Sequence, residues 1–316
     1  MGIATVLGGL AITGSVEIMT GIIYLNGQLI PCSKAKLSPL DHGFLYGYGL
    51  FETMRVYNGH IFRLNSHVTR LRSSADSIGL TNSILRTNEG KQSLKAACMA
   101  TLEANKLKDA RIRLTVSAGE GDMTPGPSTC SSPTVLITAQ NLIALPPEQY
   151  ESGFKAALSS LRRNSQSPLS RLKSTCYLEN ILARVAARAA GCDEAILLNE
   201  KGYLAEGSTT NIFLASNEEL ITPSLESGVL SGITREVVLE IARAANIKTM
   251  ERQVEFKELI EADEAFITNS ILELMPLTWF EDKPIGTGKP GLLTEELLAA
   301  YKKLVDEAER LDRGKS

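Results

Sequence analysis

Residues 206–213 read EGSTTNIF, inside the longer segment YLAEGSTTNIF that begins at Tyr203. A carboxylate, a glycine, three hydroxyls and an amide here stand between two strand-like runs. An ordinary hairpin loop is compatible with this pattern, because Gly, Ser, Thr and Asn all favour turns. The polar side chains are nevertheless dense for a loop with that single task, so the turn is a candidate binding site.

Two other stretches carry more polar and special residues than packing explains. In SRLKSTCYLEN, Lys173 lies just before a helix predicted to begin near Tyr177, although a lysine at such a place is usually only a surface charge. In LSGITREVV, Gly232 precedes a predicted helix that begins near Ile233 and Thr234. Free backbone N–H groups beside a glycine and a hydroxyl can bind phosphate, but an ordinary capped helix has the same pattern.

A lysine, a carboxylate and an anion site together match the needs of pyridoxal phosphate. The lysine forms a Schiff base with the cofactor, and the carboxylate keeps the pyridine nitrogen protonated so that the ring accepts electrons. The helix N-terminus holds the phosphate. Ion pairing alone would not require all three features.

The run from Glu206 to Arg235, with EGSTTNIF followed by LIT and LSGITR, resembles the signature of the class IV pyridoxal-phosphate transaminases. DHGFLYGYGLFETMRVYNG and HVTRL are similar to the first-domain motifs of that family, so the resemblance extends from Gly21 nearly to the C-terminus. It implies fold type IV, a mixed α+β (α/β) architecture with a small N-terminal α+β domain and a larger C-terminal domain with a β-barrel-like core. It also implies a homodimer.

Four ranges describe the expected domain organisation: a disordered extension at 1–18, the small domain at 19–140, an interdomain link at 141–150 and the cofactor-binding domain at 151–316. The link is placed at NLIALPPEQYESG because Pro146 and Pro147 separate two patterned regions.

Position by position, the resemblance implies that Lys173 is the catalytic Schiff-base lysine and Glu206 the partner of the pyridine nitrogen. Arg70, the arginine of HVTRL, is similar to the phosphate-binding arginine of the family, and bidentate pairing suits that task. Further phosphate contacts are implied for Ile233, Thr234 and Ser270.

Three activities of the family compete: branched-chain transaminase, D-amino-acid transaminase and 4-amino-4-deoxychorismate lyase, which makes p-aminobenzoate for folate. D-amino-acid transaminases hold the substrate carboxylate with a tyrosine near the position of Phe51 and an arginine near that of Ala118. Neither group is present, and an unpaired carboxylate in an apolar pocket costs several kcal/mol. This activity is therefore disfavoured.

Branched-chain enzymes present aromatic residues where this chain has Arg111 and Leu178, although Tyr46, Phe51 and Arg113 resemble theirs. A second arginine matches an aliphatic substrate poorly. A dicarboxylate such as aminodeoxychorismate suits it better, and SPLDHGFLYGYGLFET, RLKS, TPSLESGVLSGITR and ADEAFITNSILELMP are most similar to the lyase branch. The lyase is favoured and the branched-chain transaminase stays open.

The candidate substrate-binding residues follow from this choice. Arg111, Arg113 and Arg171 are predicted to bind the two carboxylates, and Arg171 and Lys173 would point the same way in an extended segment. Tyr46 and Phe51 would wall the cavity, and the glycines of DHGFLYGYGLFET would let the backbone pass close to the cofactor. We disfavour the alternative that the protein binds the cofactor but catalyses no reaction, because a site that had lost its activity would have no chemical reason to retain Lys173 and Glu206.

The composition excludes several other classes. The 316 residues carry a formal net charge of −3 without a basic stretch interleaved with aromatics, so nucleic acid is not an expected partner. Five scattered cysteines and three histidines predict reduced thiols and no metal site. The first eighteen residues lack the charge of a signal peptide and the length of an anchor. We expect a cytoplasmic enzyme with a small-molecule substrate.

Overall fold

The computed structural model describes residues 21–80 and 83–313, so the predicted extension at 1–18 lies outside the described residues. The first half of the chain builds a six-stranded antiparallel sheet with the spatial order β2-β1-β6-β5-β3-β4. Its strands are β1 (Ile22–Leu25), β2 (Gln28–Pro31), β3 (Gly49–Tyr57), β4 (His60–Ile61), β5 (Ala110–Ser117) and β6 (Thr134–Asn141). Its helices are α1 (His42–Tyr46), α2 (Leu64–Ser77), α3 (Ser83–Arg86) and α4 (Asn88–Ala104).

Asparagine–glycine pairs close the two hairpins of this sheet, as their sequences predict. Asn26 and Gly27 have φ values of 47° and 96°, and Asn58 and Gly59 have 47° and 89°. Two consecutive residues with positive φ give the tight turn whose twist matches the flanking strands. The hairpins join β1 to β2 and β3 to β4.

Alternation along β3 and β5 gives the sheet two different faces. Met54, Ile112 and Leu114 are fully buried and belong to one apolar core with α2 and α4. Arg111 and Arg113 alternate with these core residues and are exposed. One face of the sheet is therefore covered by helices, and the other is free to form the wall of a cavity.

The second half of the chain forms a nine-stranded mixed sheet. Its strands are β7 (Phe154–Arg163), β8 (Glu194–Asn199), β9 (Leu204–Gly207), β10 (Asn211–Ser216), β11 (Glu219–Pro223), β12 (Lys248–Arg252), β13 (Glu264–Asn269), β14 (Glu273–Phe280) and β15 (Lys283–Pro284). Its helices are α5 (Pro147–Ser152), α6 (Leu178–Ala189), α7 (Ile233–Ala244), α8 (Phe256–Glu261) and α9 (Leu292–Arg313).

This sheet curls back on itself. Eight strands follow the order β12-β11-β10-β13-β14-β7-β8-β9, with β15 paired to β14. The terminal strand β9 returns towards the opposite edge, where Leu204 N–H donates to the carbonyl of Val254 over 2.8 Å. The result is the barrel-like core expected of fold type IV. The proposed link at 141–150 falls between the two sheets and overlaps the start of α5.

Within residues 21–80 and 83–313, no helix combines the length and the apolar character needed to cross a membrane.

Candidate active site

A cavity of about 1110 Å³ lies between the two sheets. Its wall combines β3 and β5 of the first sheet with the segment around Lys173, the β9–β10 turn, the N-terminus of α7 and the β13–β14 turn. Nearly all the predicted site residues line it: Tyr46, Phe51, Arg70, Arg111, Arg113, Lys173, Glu206, Ile233, Thr234 and Ser270. Residues far apart in sequence therefore meet in one place.

Lys173 is held against β3 by backbone pairing. Phe51 N–H donates to the carbonyl of Lys173 and Thr175 N–H donates to the carbonyl of Gly49, both over 2.9 Å. A Cβ on Gly49 would lie 3.0 Å from the carbonyl oxygen of Val116 and 3.1 Å from the Thr175 hydroxyl, so the glycine permits this close approach. The lysine segment acts as a short extra strand beside the first sheet.

The Lys173 amine lies 4.6 Å from the ring centroid of Phe51. Burial, together with the positive charge of Arg70, lowers its pKa to about 8 despite the opposing carboxylates of Glu52 and Glu206. An amine with this pKa has a far larger neutral fraction near neutral pH than an ordinary lysine with a pKa of about 10.4, and the neutral form is the one that attacks an aldehyde or accepts a proton.

Glu206 is buried on β9 at 5% exposure. Burial raises its pKa, and the guanidinium of Arg163, 2.9 Å from Oε1, opposes that shift. Leu230 N–H donates to Oε2 over 3.0 Å. Arg163 ends β7, and its part in the site was not predicted, because nothing in the local sequence of the Arg162–Arg163 pair indicates a distant carboxylate.

The three hydroxyls of the β9–β10 turn converge on one buried carboxylate. Ser208 donates through its hydroxyl and its backbone N–H to Glu194 Oε1, while Thr209 and Thr210 hydroxyls lie 3.3 and 3.1 Å from Oε2. Their density in the sequence therefore reflects the anchoring of the turn behind Glu206. Glu194 itself was missed, although an excess of donors in one turn is a signal for a buried acceptor.

A candidate anion site lies where α7 begins. Gly232 precedes the helix, and no side chain in the described part of the chain caps its first turn. A Cβ on Gly232 would lie 1.9 Å from Asn211 Oδ1, so a larger residue does not fit there. Arg70 donates to the carbonyl of the adjacent Ser231 over 2.7 Å, which places its guanidinium beside the free N–H groups.

These residues fit pyridoxal phosphate. A helix N-terminus and a guanidinium suit the phosphate, and a buried carboxylate and a lysine of lowered pKa suit the ring nitrogen and the aldehyde. The hydroxyl of Thr268, which also lines the cavity, is buried and lacks a hydrogen-bond partner within the described part of the chain. The donor set is therefore the one that this cofactor requires.

Arg171 is the exception among the predicted residues. It ends a 3-10 turn at Pro168–Arg171 and is exposed, so the expectation of an extended segment from Arg171 to Lys173 is wrong at its first residue. Within the described residues, the cavity lining passes from Ser170 to Leu172 without it. Arg171 is therefore not among the predicted residues that this cavity brings together, and its part in substrate binding stays a prediction.

Comparison with known proteins places the chain in a family. The family model for amino-transferase class IV matches residues 49–279. A Methanocaldococcus jannaschii protein, provisionally named a branched-chain-amino-acid aminotransferase, is 38% identical over 281 residues, covering 89% of this chain and 95% of its own length. The aminodeoxychorismate lyase of Bacillus subtilis is 37% identical over 287 residues, covering 89% and 94%.

The fold agrees with this assignment. The crystal structure of the branched-chain amino acid aminotransferase of Escherichia coli superposes with a TM-score of 0.85 at 29% identity, covering 90% of this chain and 94% of that chain. Both the sequence match and the superposition extend over the two sheets and the cavity between them. The chain belongs to the class IV aminotransferases, a family of pyridoxal-phosphate-dependent enzymes.

Proposed function

We propose that the protein is a 4-amino-4-deoxychorismate lyase, which converts its substrate to p-aminobenzoate and pyruvate. The observation that carries this proposal is the presence of two arginines, Arg111 and Arg113, in the cavity wall. The guanidinium carbon of Arg113 lies 3.7 Å from the ring centroid of Phe51, the same ring that the Lys173 amine contacts at 4.6 Å. A fixed positive charge therefore stands close to the reactive amine, where a substrate carboxylate would bind.

A second guanidinium lines the same wall. Arg111 and Arg113 are two residues apart on β5 and so project from the same face. Within residues 21–80 and 83–313, neither forms an ion pair with a carboxylate of the chain, and Arg113 donates only a 3.3 Å hydrogen bond to the Thr115 hydroxyl. Two unpaired cations in one cavity suit a substrate with two carboxylates.

The side chains divide the proposed reaction between them. When bound, pyridoxal phosphate supplies a ring that accepts electrons. Lys173 Nζ removes the proton from the substrate carbon that bears the amine, and Arg163 favours the ionised form of the buried Glu206. The C–O bond to the enolpyruvyl group breaks, that group takes up a proton and leaves as pyruvate, and the carbocyclic ring becomes aromatic.

Transamination of branched-chain amino acids is the second candidate. Phe51, Leu172 and Tyr177 give the cavity an apolar wall close to Lys173, and such a wall suits an aliphatic side chain. The 38% identity to the M. jannaschii protein also favours it. Supplying aminodeoxychorismate and, separately, leucine with 2-oxoglutarate distinguishes the two reactions. p-Aminobenzoate formed without an amino acceptor supports the lyase, and glutamate formed from leucine supports the transaminase.

We also propose a homodimer. Three apolar side chains on one side of α6, Leu178, Ile181 and Leu182, are 66%, 51% and 49% exposed, and the first two line the cavity. A second copy of the chain would remove them from water. Light scattering of the purified protein tests this directly, since a monomeric mass would contradict it.

A further inference from the structure

We propose that Glu52 and His67 are positioning residues that hold the Arg70 guanidinium in the orientation needed to bind the cofactor phosphate. The inference rests on the proposed phosphate-binding role of Arg70. It does not depend on the choice between lyase and aminotransferase, because both reactions need the cofactor.

Alternation along β3 turns Phe51 towards the cavity and Glu52 towards α2, which carries His67 and Arg70. Arg70 Nε donates to Glu52 Oε1 over 2.8 Å and Arg70 Nη2 donates to Oε2 over 2.5 Å, a bidentate pair. His67 lies three residues before Arg70 on the same helix face, and its Nδ1 is 2.7 Å from Glu52 Oε2. Glu52 and His67 are each only 1% exposed.

These contacts use a defined part of the donor set of Arg70. A guanidinium has five N–H groups. Two are donated to Glu52 and a third, on Nη1, is donated to the carbonyl of Ser231. Counting partners in the described part of the chain, one N–H on Nη1 and one on Nη2 remain beside the N-terminus of α7. The plane of the guanidinium is fixed from two sides before any ligand binds.

The charges show that orientation, and not attraction, is what Glu52 contributes. Burial by itself would raise the pKa of Glu52, but the charge of Arg70 and the hydrogen bond from His67 lower it to about 2. An ionised carboxylate can only accept, so the Nδ1 of His67 donates to it, and burial lowers the pKa of His67. An anionic Glu52 weakens the attraction of Arg70 for a phosphate. Charge and orientation therefore make opposite predictions for the removal of the carboxylate.

Glu52→Gln tests which effect dominates, because it keeps the shape and removes the charge. The measurement is the dissociation constant of the full-length, cofactor-free chain for pyridoxal phosphate and for pyridoxal, followed by visible absorbance. Both ligands bind the amine through their aldehyde, so the change in their affinity ratio from wild type to variant isolates the phosphate. We expect the affinity for pyridoxal phosphate relative to that for pyridoxal to fall by about tenfold or more, or about 1.4 kcal/mol. The loss of the Glu52 charge also affects the Lys173 amine, but that effect is common to both ligands and cancels in the ratio. An unchanged or higher ratio would overturn the proposal.

Two variants of His67 distinguish the loss of its hydrogen-bond donor from a general loss of packing. Asn places an amide N–H near the position of Nδ1, whereas Leu fills space without a donor. We expect His67→Asn to keep the wild-type ratio and His67→Leu to lose selectivity for the phosphate. Equal ratios in the two variants would contradict positioning by His67. Arg70→Met serves as the reference: if it retains wild-type affinity for pyridoxal phosphate, the premise fails and the proposal with it, whichever reaction the enzyme catalyses.

Discussion

The backbone N–H of Phe51 donates a 2.9 Å hydrogen bond to the carbonyl oxygen of Lys173. A residue of the cavity wall and the lysine proposed to form the Schiff base are therefore joined through their backbones. Leu50, the residue before Phe51, and Ser174, the residue after Lys173, form an antiparallel bridge. A shift of β3 would consequently move the Lys173 amine relative to the β9–β10 turn and the N-terminus of α7, which lie in the second half of the fold.

The lowered pKa of Lys173 predicts how cofactor uptake depends on pH. Only the neutral amine attacks an aldehyde, and its fraction rises as pH increases through about 8. The rate at which the cofactor-free protein binds pyridoxal should therefore rise with a midpoint near pH 8 and level off above it. Stopped-flow absorbance measures this. A midpoint near the ordinary lysine value of about 10.4 would show that the surroundings do not perturb the amine.

Arg113 and Arg171 make a matched pair of substitutions. Arg113→Gln removes a cation from the cavity wall, and the loss of one charge-assisted hydrogen bond costs about 1.5–3 kcal/mol. We expect kcat/KM for aminodeoxychorismate to fall about tenfold to a hundredfold, mainly through KM. Arg171→Gln removes an exposed charge outside the cavity lining and should leave steady-state kinetics unchanged. Similar losses in the two variants would contradict the assignment.

Arg163 should control the ionisation of Glu206. Arg163→Met leaves a buried carboxyl without its cation, so the pKa of Glu206 rises further above its ordinary value. The carboxyl is then protonated over a wider range, and activity should fall at neutral pH and recover as pH increases. The acid limb of the kcat profile reports this shift. Arg163→Lys keeps the charge and should keep the limb near its wild-type position; a limb unmoved in Arg163→Met would contradict the role.

Gly232 should not tolerate a side chain. In Gly232→Ala the new Cβ would lie 1.9 Å from Asn211 Oδ1, and Asn211 also donates to the carbonyl of Leu230 over 2.8 Å. We expect weaker binding of pyridoxal phosphate and a free energy of unfolding lower by about 1–3 kcal/mol. Gly126→Ala is the control, because its backbone is extended and its nearest neighbour is 4.0 Å away. A stable Gly232→Ala protein with wild-type affinity would contradict the proposed phosphate site at the start of α7.

The sequence predicts most elements whose signal is local. The Asn-Gly hairpins, the amphipathic helices α2, α4, α6 and α7, and strands such as β5 and β13 all follow from turn residues and hydrophobic period. The central strand β14 does not, because Pro276 in ELMPLTWF argues against a central strand. The pairing of β14 with β7 begins at Leu277, the residue after the proline. Pro276 therefore lies just before the part of β14 that has a second partner strand.

The candidate site also has a part that the sequence predicts and a part that it does not. The motifs led to Lys173, Glu206 and Arg70, and the structure brings all three to one cavity. The partners of these residues were missed, since Glu52 and Arg163 are defined by contacts across the fold and not by neighbours in the chain. The expected orientation of Arg171 fails because its two-residue spacing from Lys173 puts the two side chains on one side only in an extended segment, whereas Arg171 ends a 3-10 turn.

The most direct measurement is the product balance with aminodeoxychorismate as the only substrate. We expect the wild-type protein with pyridoxal phosphate to release p-aminobenzoate and pyruvate in equal amounts without an amino acceptor. Lys173→Ala is the negative control. Its activity should be lower by about a hundredfold or more, as expected when a positioned proton-transfer group is removed. The lyase assignment would be contradicted if the wild-type protein formed glutamate from leucine and 2-oxoglutarate but released no p-aminobenzoate from aminodeoxychorismate.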